Sequence, residues 1–192
     1  PVPIVDNRYN EDVLSIQKEA LDRAQKIELN GIKLTAWQRE ACILGLKDIR
    51  GRYAWSTNSA KSELIIVLQQ CLNKKGLWLV DQAELMYQCS ERFEERTGKP
   101  CGYIGCGEYK ERDNMIVAMV PTLYRMSKKN LNEFLKQFTC LFVDEADHSK
   151  AKSWYTVGLS CPAPFRYSLT GTMPDKKYDK LKMCAITDSK II

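Results

Sequence analysis

Histidine is nearly absent from this sequence, with one in 192 residues, and none of its eight cysteines stands in a CxxC pair. That excludes the usual zinc ligand spacings and a secreted disulfide framework. Cys101 and Cys106 are the closest pair, a lone CxxxxC that reads as two buried free thiols. No run approaches the roughly 20 apolar residues needed to span a bilayer, so no membrane partner is expected. The opening "PVPIVDNRYNED" lacks the basic-then-apolar layout of a secretory leader, and the expected location is the cytoplasm. Internal repeats and low-complexity linkers are missing too. Charge is only mildly one-sided: 29 basic against 24 acidic side chains, net +5. Such a balance permits a nucleic-acid partner without requiring one. One further absence is local. The polar loop "WSTNSAKSE", residues 55–63, contains no glycine, although a lysine and a serine at its end precede the apolar run "LIIVLQQCL".

What is present suits one domain with a sizeable core, at 44% hydrophobic content. Residues 10–28 place apolar side chains at Val13, Leu14, Ile16, Leu21, Ala24 and Ile27, an amphipathic helix closed by "NG" at Asn30 and Gly31. Thr35 is set as the N-cap of a second helix, "AWQREACILGLKD". "IRGRYAWST" reads as a strand, "KSELIIVLQQCLN" as a helix, "KGLWLVD" as a strand, and "AELMYQCSERFEERTG" as a helix stopped by Gly98. "KPCGYIG" and "NMIVAMV" read as strands separated by a polar stretch, and "TLYRMSKKNLNEFLKQF" as helical around "SKKN". "TCLFVDEAD", a helix "SKAKSWYTVGLS", the turn "CPAP", the strand "FRYSLTG" and a tail complete the chain. Strands alternating with helices predict an α/β domain with a mainly parallel sheet flanked by helices.

Three motifs bear chemistry. A phosphate-binding loop of pattern GxxxxGK[ST] needs backbone N–H groups aimed at phosphate oxygens, a lysine for charge and a hydroxyl for magnesium. Lys61 and Ser62 match it, while Trp55 and Ala60 hold the glycine positions. Taken alone, the stretch reads as an ordinary helix start capped by Ser59. In "LFVDEADH", Asp144 at the end of an apolar strand is placed to hold a metal-bound water, and Glu145 to activate an attacking one. Without that chemistry the same motif reads as an acidic loop after a core strand. "SLTGTMP" brings a strand out into hydroxyl residues around a glycine.

Their order along the chain matches a P-loop motor, and from about Leu34 onward the sequence resembles the first RecA-like domain of superfamily 2 helicases. The similarity is greatest to phage and bacterial DNA helicases with DEAD- or DEAH-type boxes. "WQREA" is similar to their glutamine motif, "STNSAKSE" to motif I, "LWLVDQAELMYQ" to motif Ia, "VAMVPTLYR" to the following nucleic-acid motifs, "VDEADH" to motif II and "SLTGT" to motif III. The resemblance implies ATP and Mg²⁺ as cofactors. Gln38 would then read adenine, with Thr57, Asn58, Ser59, Ala60, Lys61 and Ser62 wrapping the phosphates. Ser62 and Asp144 would position the metal, and Lys61, Asp144 and Glu145 would be the catalytic set. His148, Ser168, Thr170 and Thr172 would couple hydrolysis to movement. Asp81, Gln82, Pro121 and Thr122 would meet nucleic acid, DNA in preference to RNA.

The departures from that family pattern are specific. Ala60 puts a Cβ where glycine lets backbone approach phosphate. Gln82 stands where a basic residue is common, Pro121 where a polar one is usual, and Thr35 where arginine is frequent. These changes point to an attenuated site, and they leave open a nucleotide-insensitive RecA-like binding or regulatory module with a decayed P-loop. The resemblance divides the chain into an N-terminal helical extension, 1–33, and a RecA-like domain, 34–192. Only twenty residues follow Thr172, so a second RecA-like domain is expected in a longer chain. The basic clusters "KKN" at 128–130 and "DKKYDKLK" at 175–182 read as solvated faces.

Overall fold

The computed structural model describes residues 10–55, 61–144, 152–171, 176–188 and 190–192. Seven strands form one sheet: β1 (Arg50–Ala54), β2 (Gly76–Val80), β3 (Cys101–Gly105), β4 (Glu108–Lys110), β5 (Met115–Met119), β6 (Cys140–Val143) and β7 (Phe165–Thr170). Their spatial order is β1-β7-β6-β2-β5-β3-β4, with every pairing parallel except β3 with β4. β2, β6 and β7 are buried along their whole length. Sequences such as "GLWLV" and "CLFV" satisfy this because both faces of a parallel sheet are covered, so no polar alternation is needed.

Successive side chains on each strand serve opposite cores. Trp78, Val80, Phe142 and Tyr167 join a core built with α1 (Glu11–Ala24), α2 (Ala36–Asp48), α3 (Lys61–Leu72) and α4 (Ala83–Thr97). Leu77, Leu79, Leu141 and Val143 join the other, beneath α5 (Val120–Tyr124), α6 (Lys128–Leu135), α7 (Lys152–Ser160) and α8 (Lys177–Ile186). The sandwich is the expected α/β architecture. No helix of the described residues is long and apolar enough to cross a membrane.

Several boundaries differ from the sequence expectation. The first helix ends at Ala24 rather than near residue 28, because Leu29 and Ile32 form a bridge that draws the chain into a turn. The polar stretch before β5 contains β4, paired through a two-residue turn in which Cys106 and Gly107 both have positive φ, as a type I′ hairpin requires. That turn leaves Cys106 exposed, which corrects its reading as a buried thiol, while Cys101 is buried as expected. "TLYRMSKKNLNEFLKQF" splits into α5 and α6 because Ser127 caps the second, accepting a hydrogen bond from the Asn130 N–H. The tail forms α8 and then pairs with β1. Arg52 N–H donates to the Lys190 carbonyl at 3.0 Å, and Ile192 N–H to the Arg52 carbonyl at 2.8 Å. That pairing covers what would otherwise be an open edge. Two expectations hold closely: Thr35 caps α2, and Gly98 ends α4 in the left-handed conformation.

The Tyr167 hydroxyl is among the buried polar groups of the described residues that lack a hydrogen-bond partner. Its ring is fully buried and stacked on Phe142. Burial pushes this phenol well above the usual tyrosine range, so it stays neutral. Tyr167→Phe is therefore expected to be neutral or stabilising by up to about 1 kcal/mol. A urea midpoint lower than that of the parent protein would contradict this.

Candidate nucleotide site at the strand tips

In an open parallel sheet, ligands gather outside the carboxyl ends of the strands. β1, β7, β6, β2 and β5 all present those ends on one edge. Registers place Ala54 beside Thr170, Val143 beside Ser168, and Val80 beside Met119. Residues leaving these tips therefore start from nearly the same level.

Lys61 and Ser62 begin α3 after β1, and both are half-buried. Asp144 follows β6 directly. Its N–H donates to the Leu79 carbonyl at 3.3 Å, which ties the β6 tip to β2. The first turn of α3 and Asp144 share a neighbour, the Cys89 thiol on α4. Burial first, and then the Asp144 carboxylate, push that thiol up to about 12, with Glu63 of α3 acting in the same sense. An acid from the β6 tip and an acid from the first turn of α3 thus both act electrostatically on one side chain of α4.

Gln38 sits in the first turn of α2, where the structure adds the second half of a capping box to the expected Thr35 N-cap. Its Oε1 accepts from the Thr35 N–H at 2.9 Å and from the Thr35 hydroxyl at 3.0 Å. The carbonyl end of the amide is thereby engaged locally, and the side chain is held in one orientation. Trp37 beside it is 48% exposed and packs edge-on against Trp55 at 4.6 Å, and Trp55 in turn contacts Tyr53. This aromatic series joins the start of α2 to the end of β1.

Thr170 ends β7 and is fully buried, with its carbonyl accepting from the Trp55 N–H at 3.0 Å. Ser168 lies beside Val143 at the β6 tip and two residues before the end of β7. Its hydroxyl is buried and shares a hydrogen bond with Thr187, at the end of α8. On the other half of the edge, Gln82 is the exposed N-cap position of α4 with Asp81 before it, and Pro121 and Thr122 open α5 after β5. The β2–β5 pairing makes these two groups neighbours. Thr57, Asn58, Ser59, Ala60, Glu145, His148 and Thr172 lie outside the described residues.

Ser62 and Asp144 supply a hydroxyl and a carboxylate, the hard oxygen donors that suit Mg²⁺, which ordinarily takes one or two protein ligands with phosphate and water. Among the described residues no cluster of three or more His, Cys, Asp or Glu side chains forms a self-sufficient metal cage. This donor set fits a metal that arrives with a nucleotide.

Sequence reasoning missed Glu63, Arg92 and Arg96. Glu63 lies in the first turn of α3, only 8% exposed, with Arg96 Nε at 3.8 Å and Arg92 Nη1 at 3.9 Å, both from α4. The only signal in the sequence was the four-residue spacing of the two arginines on one helix face.

The parallel order, the lysine-bearing helix after β1 and the aspartate after β6 define a RecA-like domain of the superfamily 2 helicase class. The chain belongs to the family described as "Type III restriction enzyme, res subunit", whose model matches residues 12–175. No curated protein matches the sequence. Among solved structures it is similar to the UvsW helicase of bacteriophage T4, at 19% identity and TM-score 0.73 over 92% of this chain and 67% of that one. It is also similar to the Hef helicase domain of Pyrococcus furiosus, at 15% identity and TM-score 0.71 over 83% of this chain and 38% of that one. A third likeness is to the Sulfolobus solfataricus SWI2/SNF2 ATPase core, solved in complex with dsDNA, at 14% identity and TM-score 0.69 over 82% and 36%. The chain spans two thirds of the first of these and little more than a third of the other two.

Proposed function

We propose that this chain is the ATP-binding half of an ATP-dependent helicase or translocase that moves on nucleic acid, working in the cytoplasm with DNA in preference to RNA. The observation that carries the reading is the common edge, where Lys61 and Ser62, Asp144, Asp81 with Gln82, and Pro121 with Thr122 leave neighbouring strand tips. On this reading the nucleotide phosphates lie at the start of α3, where Lys61 neutralises charge. Ser62 and Asp144 hold Mg²⁺, which offsets charge on the transferred phosphate when bound. The amide nitrogen of Gln38, its carbonyl being engaged by Thr35, faces the base. The DNA preference is supported by the dsDNA in the SWI2/SNF2 relative's structure. The motif-bearing domain is residues 34–192, with α1 as an N-terminal addition packed on it, and a second RecA-like domain completes the cleft.

One observation favours a second reading. Trp55, at the first glycine position, is packed into the series Trp37–Trp55–Tyr53, which suits a nucleotide-insensitive module whose loop has decayed.

Thermal unfolding with Mg-ATP separates the two. A ligand at ten times its Kd adds about 1.4 kcal/mol, roughly 3–6 °C for a domain of this size. The expected result is a rise of that order that disappears in Lys61→Ala. A protein unmoved by millimolar nucleotide would leave the decayed module standing.

A further inference from the structure

α3 starts at the end of a loop, so its direction depends on what its first turn touches. Glu63 immediately follows Lys61 and Ser62, and its side chain is 11% exposed, unusual for an acid in a first helical turn. Two guanidinium groups face it. Arg92 is 47% exposed, and at that exposure solvent screens its attraction; Arg96 is 18% exposed and acts through a drier medium. The Arg96 Nε–H is buried and makes no hydrogen bond, so its partner is the Glu63 carboxylate at 3.8 Å.

Arg96 reaches a third segment as well. Its Nη1 donates to the Asn30 carbonyl at 3.3 Å, and its own carbonyl accepts from the Asn30 N–H at 2.9 Å. The Asn30 side-chain amide donates to the Glu95 carbonyl at 3.4 Å. Gly31, at φ +72°, lets the turn close over the guanidinium, since a Cβ there would stand 3.2 Å from Nη1. A few residues later comes Thr35, which orients Gln38. One arginine therefore joins the turn leading to Gln38, the turn bearing Lys61 and Ser62, and the helix whose N-cap position is Gln82.

Resting on the nucleotide-site reading above, we propose that Arg96, acting through Glu63 and Asn30, is a positioning residue that fixes the phosphate-binding turn of α3 relative to Gln38. It touches no substrate. Its work is to hold two halves of a nucleotide site at one spacing, with α4 as their common support. Among the described residues, Glu63 without Arg96 keeps only the exposed Arg92, and Arg96 without Glu63 keeps only the exposed Glu95 carboxylate, 3.2 Å from Nη1.

Four variants test this: Glu63→Gln, Arg96→Gln, their double, and Arg92→Gln as the exposed control. In calorimetric titration with Mg-ATP, each of the first two is expected to weaken binding roughly tenfold, the double no further than the worse single, and Arg92→Gln about twofold or less. Amide hydrogen exchange without nucleotide is read in parallel. Exchange at Ile65 to Leu68, whose N–H groups bond back to the first turn of α3, should quicken about tenfold, and so should Asn30, whose N–H donates to the Arg96 carbonyl, in the Arg96 variants. A merely structural role would lower the melting temperature and leave the Kd of the folded variants unchanged, and that result overturns the proposal. If Arg96→Gln does not fold, Arg96→Lys replaces it, keeping the charge and losing the fork. Should the parent protein bind no nucleotide, the functional reading falls, and exchange decides: unaltered rates in α3 and at Asn30 sink the inference, quickened rates uphold the clamp.

Discussion

Arg166→Leu is expected to lower folding stability by about 3–5 kcal/mol. Arg166 is the second residue of β7 and is 8% exposed. Among the described residues no carboxylate pairs with it. Instead Nε donates to the Ala163 carbonyl at 2.8 Å, Nη1 to those of Ile186 at 3.0 Å and Gly158 at 3.3 Å, and Nη2 to that of Cys161. Gly158 lies in the last turn of α7 and Ile186 ends α8, so the guanidinium meets the negative ends of two helices together. Burial draws the arginine's pKa below its usual value, the expected cost of placing a cation there. A leucine of similar girth fills part of the space but leaves four buried carbonyls without a donor, at about 1–3 kcal/mol for each that water fails to reach. Arg166→Lys keeps the charge with fewer directed donors and should fall between. Urea midpoints with unchanged m-values measure both losses. A leucine variant within about 1 kcal/mol of the parent protein would mean that these carbonyls find other donors. The consequence reaches function through β7, since Arg166 anchors the strand that ends at Thr170.

Much of this was legible in the sequence because it is local. "TAWQ" carries both halves of a capping box within four residues, and Gly98 marks a stop that only a left-handed residue satisfies easily. "GLWLV" and "CLFV" announce buried parallel strands through apolar continuity. What stayed hidden depends on partners remote in the chain. α8 was read as a tail because "KKYDKLKMCAI" offers mainly Met183 and Ile186 for burial, and their seat exists only where Gly158 lets α7 come close. β4 is three residues long, and its turn uses "CG" instead of the more recognisable "NG". Ser168 matched a motif, yet its hydroxyl faces Thr187, a pairing that no spacing reveals. Glu63 and Arg96 belong to helices either side of β2, and each alone reads as a surface charge.

Gly45→Ala is expected to destabilise the protein by about 2–4 kcal/mol, although alanine is the better helix former by about 1 kcal/mol. Gly45 faces β1 from the last turn of α2. A Cβ there would lie 1.8 Å from the Tyr53 hydroxyl oxygen and 3.0 Å from its Cζ. The Tyr53 ring is fully buried, and its hydroxyl donates to the Ala41 carbonyl at 3.1 Å, so it has little room to withdraw without abandoning that bond. Either α2 lifts from the sheet or the phenol is left unpaired, and both cost more than the propensity gained. Tyr53→Phe in the same chain removes the clashing oxygen, leaving the tight contact at Cζ, so the double variant should recover at least about half of the loss. Additive losses in urea unfolding would show that the clash is not the cause. The functional readout is sharper still. α2 carries Gln38 in its first turn and β1 runs into the loop before Lys61, so a lifted helix changes the spacing between base and phosphate contacts. Mg-ATP affinity should therefore fall in Gly45→Ala at temperatures where the variant is fully folded, and return with Tyr53→Phe. An affinity that does not follow the clash would break the link between this helix seat and the nucleotide site.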